Sequence, residues 1–171
     1  MKILNLFLYY FRYHIFRNYR EDIIIKNIKK EINILRKNDL NKKIYNILDI
    51  GSGMQPYVIK NLVEKLNLEK EFKFTADCYD FYNEEKLNQL NLFKDLNFFH
   101  INELNYKKKY DFVIIIDVLH HIGLENLKEI KYLLSNLSLV GQYLIIKDHF
   151  ETNYLSRVLL IIMDFIGNFY N

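Results

Sequence analysis

The 171-residue sequence predicts an α/β fold: an open, doubly wound, mostly parallel sheet of about five strands with helices on both faces. Three observations carry that expectation. Five short apolar runs, "IYNILDI", "EFKFTA", "NFFHI", "YDFVIIID" and "QYLIIKD", alternate with stretches of helical period. The runs are nearly continuous in Val, Ile, Leu and aromatic residues, as strands buried on both faces are. The first run passes straight into "DIGSG", an acid and two glycines where open α/β sheets turn from strand to helix and bind ligands.

Length and composition agree with one domain. The chain is 50% hydrophobic and 26% charged, a globular balance, and 171 residues leave no room for a second catalytic domain. A net charge of +3 is too small to imply nucleic-acid binding, and the short basic run Lys107 to Lys109 reads as a solvated loop. The one cysteine, Cys78, forms no internal disulfide, and no Cys/His spacing resembles a zinc site, so the expected setting is a reducing cytoplasm without a bound metal.

Taken in order, residues 1–40 form a helical extension. In "MKILNLFLYYFRYHIFRNYR", Leu4, Leu8, Phe11 and Ile15 share one helical face with Phe7 beside them, while Lys2, Asn5, Arg12 and Arg20 gather opposite. Arg12, His14 and Arg17 interrupt the run, and no small-residue cleavage site follows, so neither a signal peptide nor a span of ~20 apolar residues is expected here. Two uses stay open: a helix packed on the domain, or a peripheral membrane contact through residues 1–20. A second helix follows, with Ile24, Ile28, Ile32 and Leu35 on its apolar stripe. Between the strands, helices are expected at 55–67, 83–91, 124–137 and 153–166. The last carries Leu155, Val158, Leu159, Ile162, Met163 and Ile166, and the strand at Tyr143 to Lys147 would be a sheet edge unless that helix or a partner covers it.

The candidate site gathers at strand ends. Gly51 and Gly53 allow a tight turn and close approach of a ligand, and the helix opening near Gln55 and Pro56 directs free N–H groups there. Asp49 beside the turn suits an ammonium group better than a pyrophosphate. A Walker loop is excluded by the missing Gly-Lys-Ser/Thr, and the dinucleotide fingerprint is broken at Pro56. Asp77, in "FTADCYD", falls where a carboxylate accepts both hydroxyls of a ribose, with Asp80 as the competing choice. Asp117 ends the fourth strand, and His120 and His121 are expected in the loop that opens the next helix; Asp148 and His149 end the fifth. Such acid and histidine pairs supply a general base, or merely cap helices and fill the crevice wall.

In this order and spacing, "ILDIGSG", "ADCYD", "YDFVIIIDVLHHI", "GQYLIIKDH" and "MDFIGN" resemble the class I S-adenosylmethionine-dependent methyltransferases, over roughly residues 44–168. The nearest branch is that of bacterial small-molecule methyltransferase-domain proteins. The resemblance implies a Rossmann-like sheet of order 3-2-1-4-5 and S-adenosylmethionine as cofactor. It places Asp49, Gly51, Ser52 and Gly53 at the methionine end, Asp77 on the ribose, Cys78 along the adenine pocket, and Asp117 and Val118 beside the reacting methyl. Asp111 matches a structural aromatic-Asp pair. Gln55 departs from a usual third small residue, and "HINEL" lacks the usual acid near adenine, where Asn102 could substitute and His100 is nearer. The family's C-terminal antiparallel hairpin is missing, which implies a C-terminally truncated or minimal version.

Chemically, a sulfonium methyl needs alignment with its acceptor, and a hydroxyl acceptor also needs a base such as His120, His121 or His149. No Asn-Pro-Pro-aromatic stretch occurs, which favours a small-molecule, lipid-linked or saccharide acceptor over nucleic-acid or protein amines. Two alternatives remain: a non-catalytic methyltransferase-like binding module with a docking N-terminal helix, and a nicotinamide-dependent oxidoreductase or epimerase. The second is disfavoured by Pro56 and by the lack of a Tyr-x-x-x-Lys pair after the fourth strand.

Overall fold

A computed structural model of the chain describes residues 21–37, 39–53, 56–90, 93–122 and 127–148. The expected helices at 1–20 and 153–166 lie outside the described residues, and so does His149.

Helix α1 spans 21–37 and buries Ile24, Ile28, Ile32 and Leu35, the stripe its 3.6-residue period predicts. There follow β1 (Ile44–Ile50), α2 (Tyr57–Asn67), β2 (Lys73–Asp80), α3 (Glu84–Leu90), β3 (Leu96–His100), β4 (Tyr110–Ile116), α4 (Leu119–Ile122), α5 (Leu127–Val140) and β5 (Gly141–Lys147). All four strand pairings are parallel, in the order β3-β2-β1-β4-β5. This is the Rossmann-like order expected, and β5 stands at an edge among the described residues. None of the described helices is long and apolar enough to cross a membrane.

Strand alternation divides the core in two. One face carries Tyr45, Ile47, Phe74, Ala76, Cys78, Phe98, Phe112 and Ile114, covered by the apolar sides of α1 and α2. The other carries Leu48, Ile50, Tyr79, Val113 and Ile115, covered by Leu133, Leu134, Leu137 and Val140 of α5. Helix α1 is tied to α2 and to the α2–β2 connection by ion pairs from Lys65 to Glu21, Lys29 to Glu69 and Arg36 to Glu71.

Several elements differ from expectation. Strand β2 was expected at "EFKFTA" but runs from Lys73 to Asp80, because alternation continues through Phe74, Ala76 and Cys78 on the buried face. The helix expected at 124–137 is α5, Leu127–Val140, preceded by the separate turn α4. From β3 the chain reaches β4 through one 3₁₀ turn, Ile101–Glu103, and a loop. Lys107 to Lys109 belong to that loop but are not simply solvated: Lys108 pairs with buried Asp77, and Lys109 Nζ donates to the Leu139 carbonyl at 2.6 Å.

Candidate functional site

The turn after β1 is held by the end of β2 and the residues that follow it. Gly51 N–H donates to the Tyr79 carbonyl at 2.8 Å, Gly53 N–H to Asp80 Oδ2 at 2.6 Å, and Tyr82 Oη to the Gly53 carbonyl at 3.0 Å. Both glycines lie at positive φ, +78° and +74°. Their surroundings differ. A Cβ on Gly51 would come 2.2 Å from Val118 Cγ2, so this glycine lets the β4–α4 loop pack against the turn. A Cβ on Gly53 meets nothing within 4 Å among the described residues, so this glycine borders open space. Pro56 stands at the N-cap of α2 without a side-chain cap.

Asp49 lies under the turn, 4% exposed, and its Oδ2 accepts from Ser52 Oγ at 2.6 Å. Burial, with a smaller contribution from Asp80 and against the Ser52 hydrogen bond, pushes its pKa up to about 7. Asp80, the last residue of β2, accepts from Gly53 N–H through one oxygen and from Phe81 N–H through the other. Phe81 is 76% exposed and meets His100 edge-on, with ring centroids 6.1 Å apart.

Asp77 is not part of this site. It was expected at a strand end, but β2 runs three residues further. Its register partner is Leu48, whereas that of Asp49 is Cys78, so the two aspartates project from opposite faces of the sheet and share no pocket. Asp77 is instead enclosed by Asn97 Nδ2 at 2.9 Å, Tyr110 Oη at 2.8 Å and Lys108 Nζ. Asp80, the last residue of β2, lies on the face of Cys78 and Asp49.

Cys78 is wholly buried in the apolar core rather than lining an open pocket, and burial drives its thiol pKa well up. Asn102 is exposed, and its backbone N–H donates to His100 Nδ1 at 3.2 Å. Asp117 follows β4 at φ +55°, a strained position for a residue other than glycine, and pairs with Lys147. Asp148 Oδ2 accepts from Leu119 N–H at 2.6 Å and so caps α4. His120 and His121 stand in α4, directly after the β4 end. Asp111 accepts from Asn46 N–H at 2.9 Å and pairs with Lys42 at the start of β1.

Tyr82 and Phe81 were missed. Continuing the two-residue alternation of β2 past Cys78 favours Asp80 over Asp77 for the face of Asp49 and leads on to Tyr82.

Glu21, Asp49, Asp77 and Asp111 are the buried carboxylates among the described residues. Lys65, Lys108 and Lys42 pair with Glu21, Asp77 and Asp111. No described lysine or arginine pairs with Asp49 or with its neighbour Asp80, which accept only from neutral donors.

No protein-family model matches the chain. No curated protein matches it in sequence. Among solved structures it is similar to a candidate S-adenosyl-L-methionine-dependent methyltransferase from Methanococcus maripaludis, with 15% identity over 89% of this chain and 66% of that one, at a TM-score of 0.48. It is also similar to an S-adenosylmethionine-dependent methyltransferase from Archaeoglobus fulgidus, with 16% identity over 94% of this chain and 73% of that one, at a TM-score of 0.45. The chain thus spans about two thirds of the length of the first.

Proposed function

We propose that the carboxyl end of the sheet binds S-adenosylmethionine and that the chain transfers its methyl group to a small-molecule, lipid-linked or saccharide acceptor. One observation carries the reading: Asp49 is buried beside Asp80 at a glycine turn, and no lysine or arginine among the described residues pairs with either. A buried carboxylate left without a counter-charge costs several kcal/mol unless a ligand supplies one. An amino-acid ammonium is such a ligand. The sequence resemblance names the same turn independently.

In this reading Asp49, with Ser52 holding its orientation, takes the ammonium. Asp80 has lone pairs left after its two backbone hydrogen bonds, and these accept the ribose hydroxyls. Gly53 provides the close approach, and exposed Phe81 offers a flat apolar face to the base. The cofactor supplies an electrophilic methyl on a sulfonium. What the chain must add is alignment, which contributes on the order of 7 to 11 kcal/mol. Asp117 and Val118 border the place where the methyl would lie, since Val118 packs on Gly51. For a hydroxyl acceptor, His120, His121 and His149 are the proposed bases. The lack of an Asn-Pro-Pro-aromatic stretch supports the acceptor class.

Titration calorimetry with S-adenosylmethionine and S-adenosylhomocysteine tests the reading. Micromolar binding is expected, weakened in Asp80→Ala. Absence of binding at millimolar ligand, with the fold intact by circular dichroism, refutes it.

A further inference from the structure

We infer that Asp49 is a proton-exchange seat: the cationic end of the ligand takes the place of a proton on this buried carboxyl, so binding at the glycine turn releases a proton and tightens as pH rises. This rests on the reading of the turn as a site for an ammonium-bearing ligand. It adds how the empty turn stays stable and how acidity controls its filling.

The surroundings of Asp49 leave few ways to neutralise it. From its own turn it receives the Ser52 hydroxyl. From β2, Cys78 stands in register beside it and Asp80 lies two residues on; neither carries positive charge. Tyr82 comes next, its phenol held neutral by burial. The register neighbour on β4 is Ile114, and the buried sides of α1 and α2 are apolar throughout, apart from Glu21, which has Lys65. Further along the sheet Asp117 and Lys147 are paired with each other. Among the described residues, then, the groups facing Asp49 are two neutral hydroxyls, a neutral thiol and a second carboxylate.

A carboxyl in that setting holds a proton or a cation. The charge the ligand brings is therefore exchanged rather than added: the carboxyl O–H gives its proton to the solvent, and the resulting carboxylate accepts from the ammonium. The raised pKa of Asp49 puts the exchange within reach of ordinary cellular acidity. Asp80 differs. It lies at the open end of the strand with two backbone N–H donors, and its proximity disfavours a negative charge on Asp49 beneath the turn.

The test is titration calorimetry of the full chain with S-adenosylhomocysteine in buffers of different ionisation enthalpy. Near pH 7 roughly half a proton should be released per ligand bound, and Kd should fall about tenfold from pH 6 to pH 8, following the ionised fraction of one carboxyl. Asp49→Asn should abolish both effects, and it also subtracts any proton lost by the ligand's own amine. Wild-type binding that ignores both buffer and pH overturns the inference and leaves the ligand reading standing. Carboxyl-carbon nuclear magnetic resonance of the free protein, labelled at aspartate, gives a second readout. One carboxyl should titrate near neutrality, and that titration should vanish in Asp49→Asn and on saturation with ligand. If every aspartate titrates in the usual carboxylate range, the inference fails whatever binds. If the neutral titration is present but neither S-adenosylmethionine nor S-adenosylhomocysteine binds at millimolar concentration, the ligand reading falls, and the exchange falls with it.

Discussion

Asp49 and Asp77 sit on neighbouring strands, 4% and 5% exposed, and have opposite fates. Asp77 is enclosed by partners from three parts of the chain: Asn97 of β3, Lys108 of the loop before β4, and Tyr110 of β4 itself. Together they pin the connection between β3 and β4, which holds one 3₁₀ turn and a loop. Asp49 has a serine three residues away and a second carboxylate across the turn. The difference teaches how to tell an anchor from a site. Where the fold brings its own cation, a buried acid is structure. Where none of the described residues brings one and the backbone is opened by glycine, the acid suits the ligand proposed for it.

Breaking the closed cluster should cost most. Asp77→Ala removes the acceptor shared by Tyr110, Asn97 and Lys108, and should destabilise by about 3 to 5 kcal/mol, towards the lower end because Lys108 is half exposed. Urea denaturation measures it, and a loss under 1 kcal/mol would make the cluster incidental. Asp49→Asn should act in the opposite direction. The pKa of Asp49 is raised on folding from 3.8 to about 7, so the native state holds a proton that the unfolded chain releases. Stability therefore falls as pH climbs from about 4 to 7 and is flat above that. Removing the charge should stabilise the ligand-free protein by on the order of 2 to 4 kcal/mol at pH 8 and hardly at all at pH 4. Thermal melts at the two pH values check the sign; equal shifts at both would remove the linkage.

Gly51→Ala sharpens the comparison at the turn itself. The new methyl meets Val118 in a left-handed backbone, so a loss of about 1 to 3 kcal/mol is expected, with ligand binding weakened further. Gly53→Ala should spare stability more, since its methyl faces open space, and should instead reduce affinity. The smallest effect belongs to Tyr82→Phe. It deletes one hydrogen bond to the Gly53 carbonyl, worth about 1 kcal/mol, and should loosen binding several-fold while the core packing of the ring survives.

Much of this was legible in the chain itself. The stripe Ile24, Ile28, Ile32 and Leu35, the strand Ile44–Ile50, the turn residues Gly51 and Gly53, and the parallel sheet all follow from periodicity and from glycine's freedom at positive φ. Asp80 was legible only as a competitor to Asp77. The run "FTADCYD" offers two aspartates three residues apart, and nothing local says where the strand stops.

Sequence alone settled which residues prefer strand or helix and where the backbone needs glycine, because those preferences act within a few bonds. Tertiary structure decided which aspartate serves the turn and which serves the core. A strand shows its residues alternately to two faces, so Asp77 and Asp80, three positions apart, must point to opposite sides. Whether a buried charge finds a counter-ion depends on Lys108 or Lys42, brought in from 31 and 69 residues away, a distance no local pattern spans.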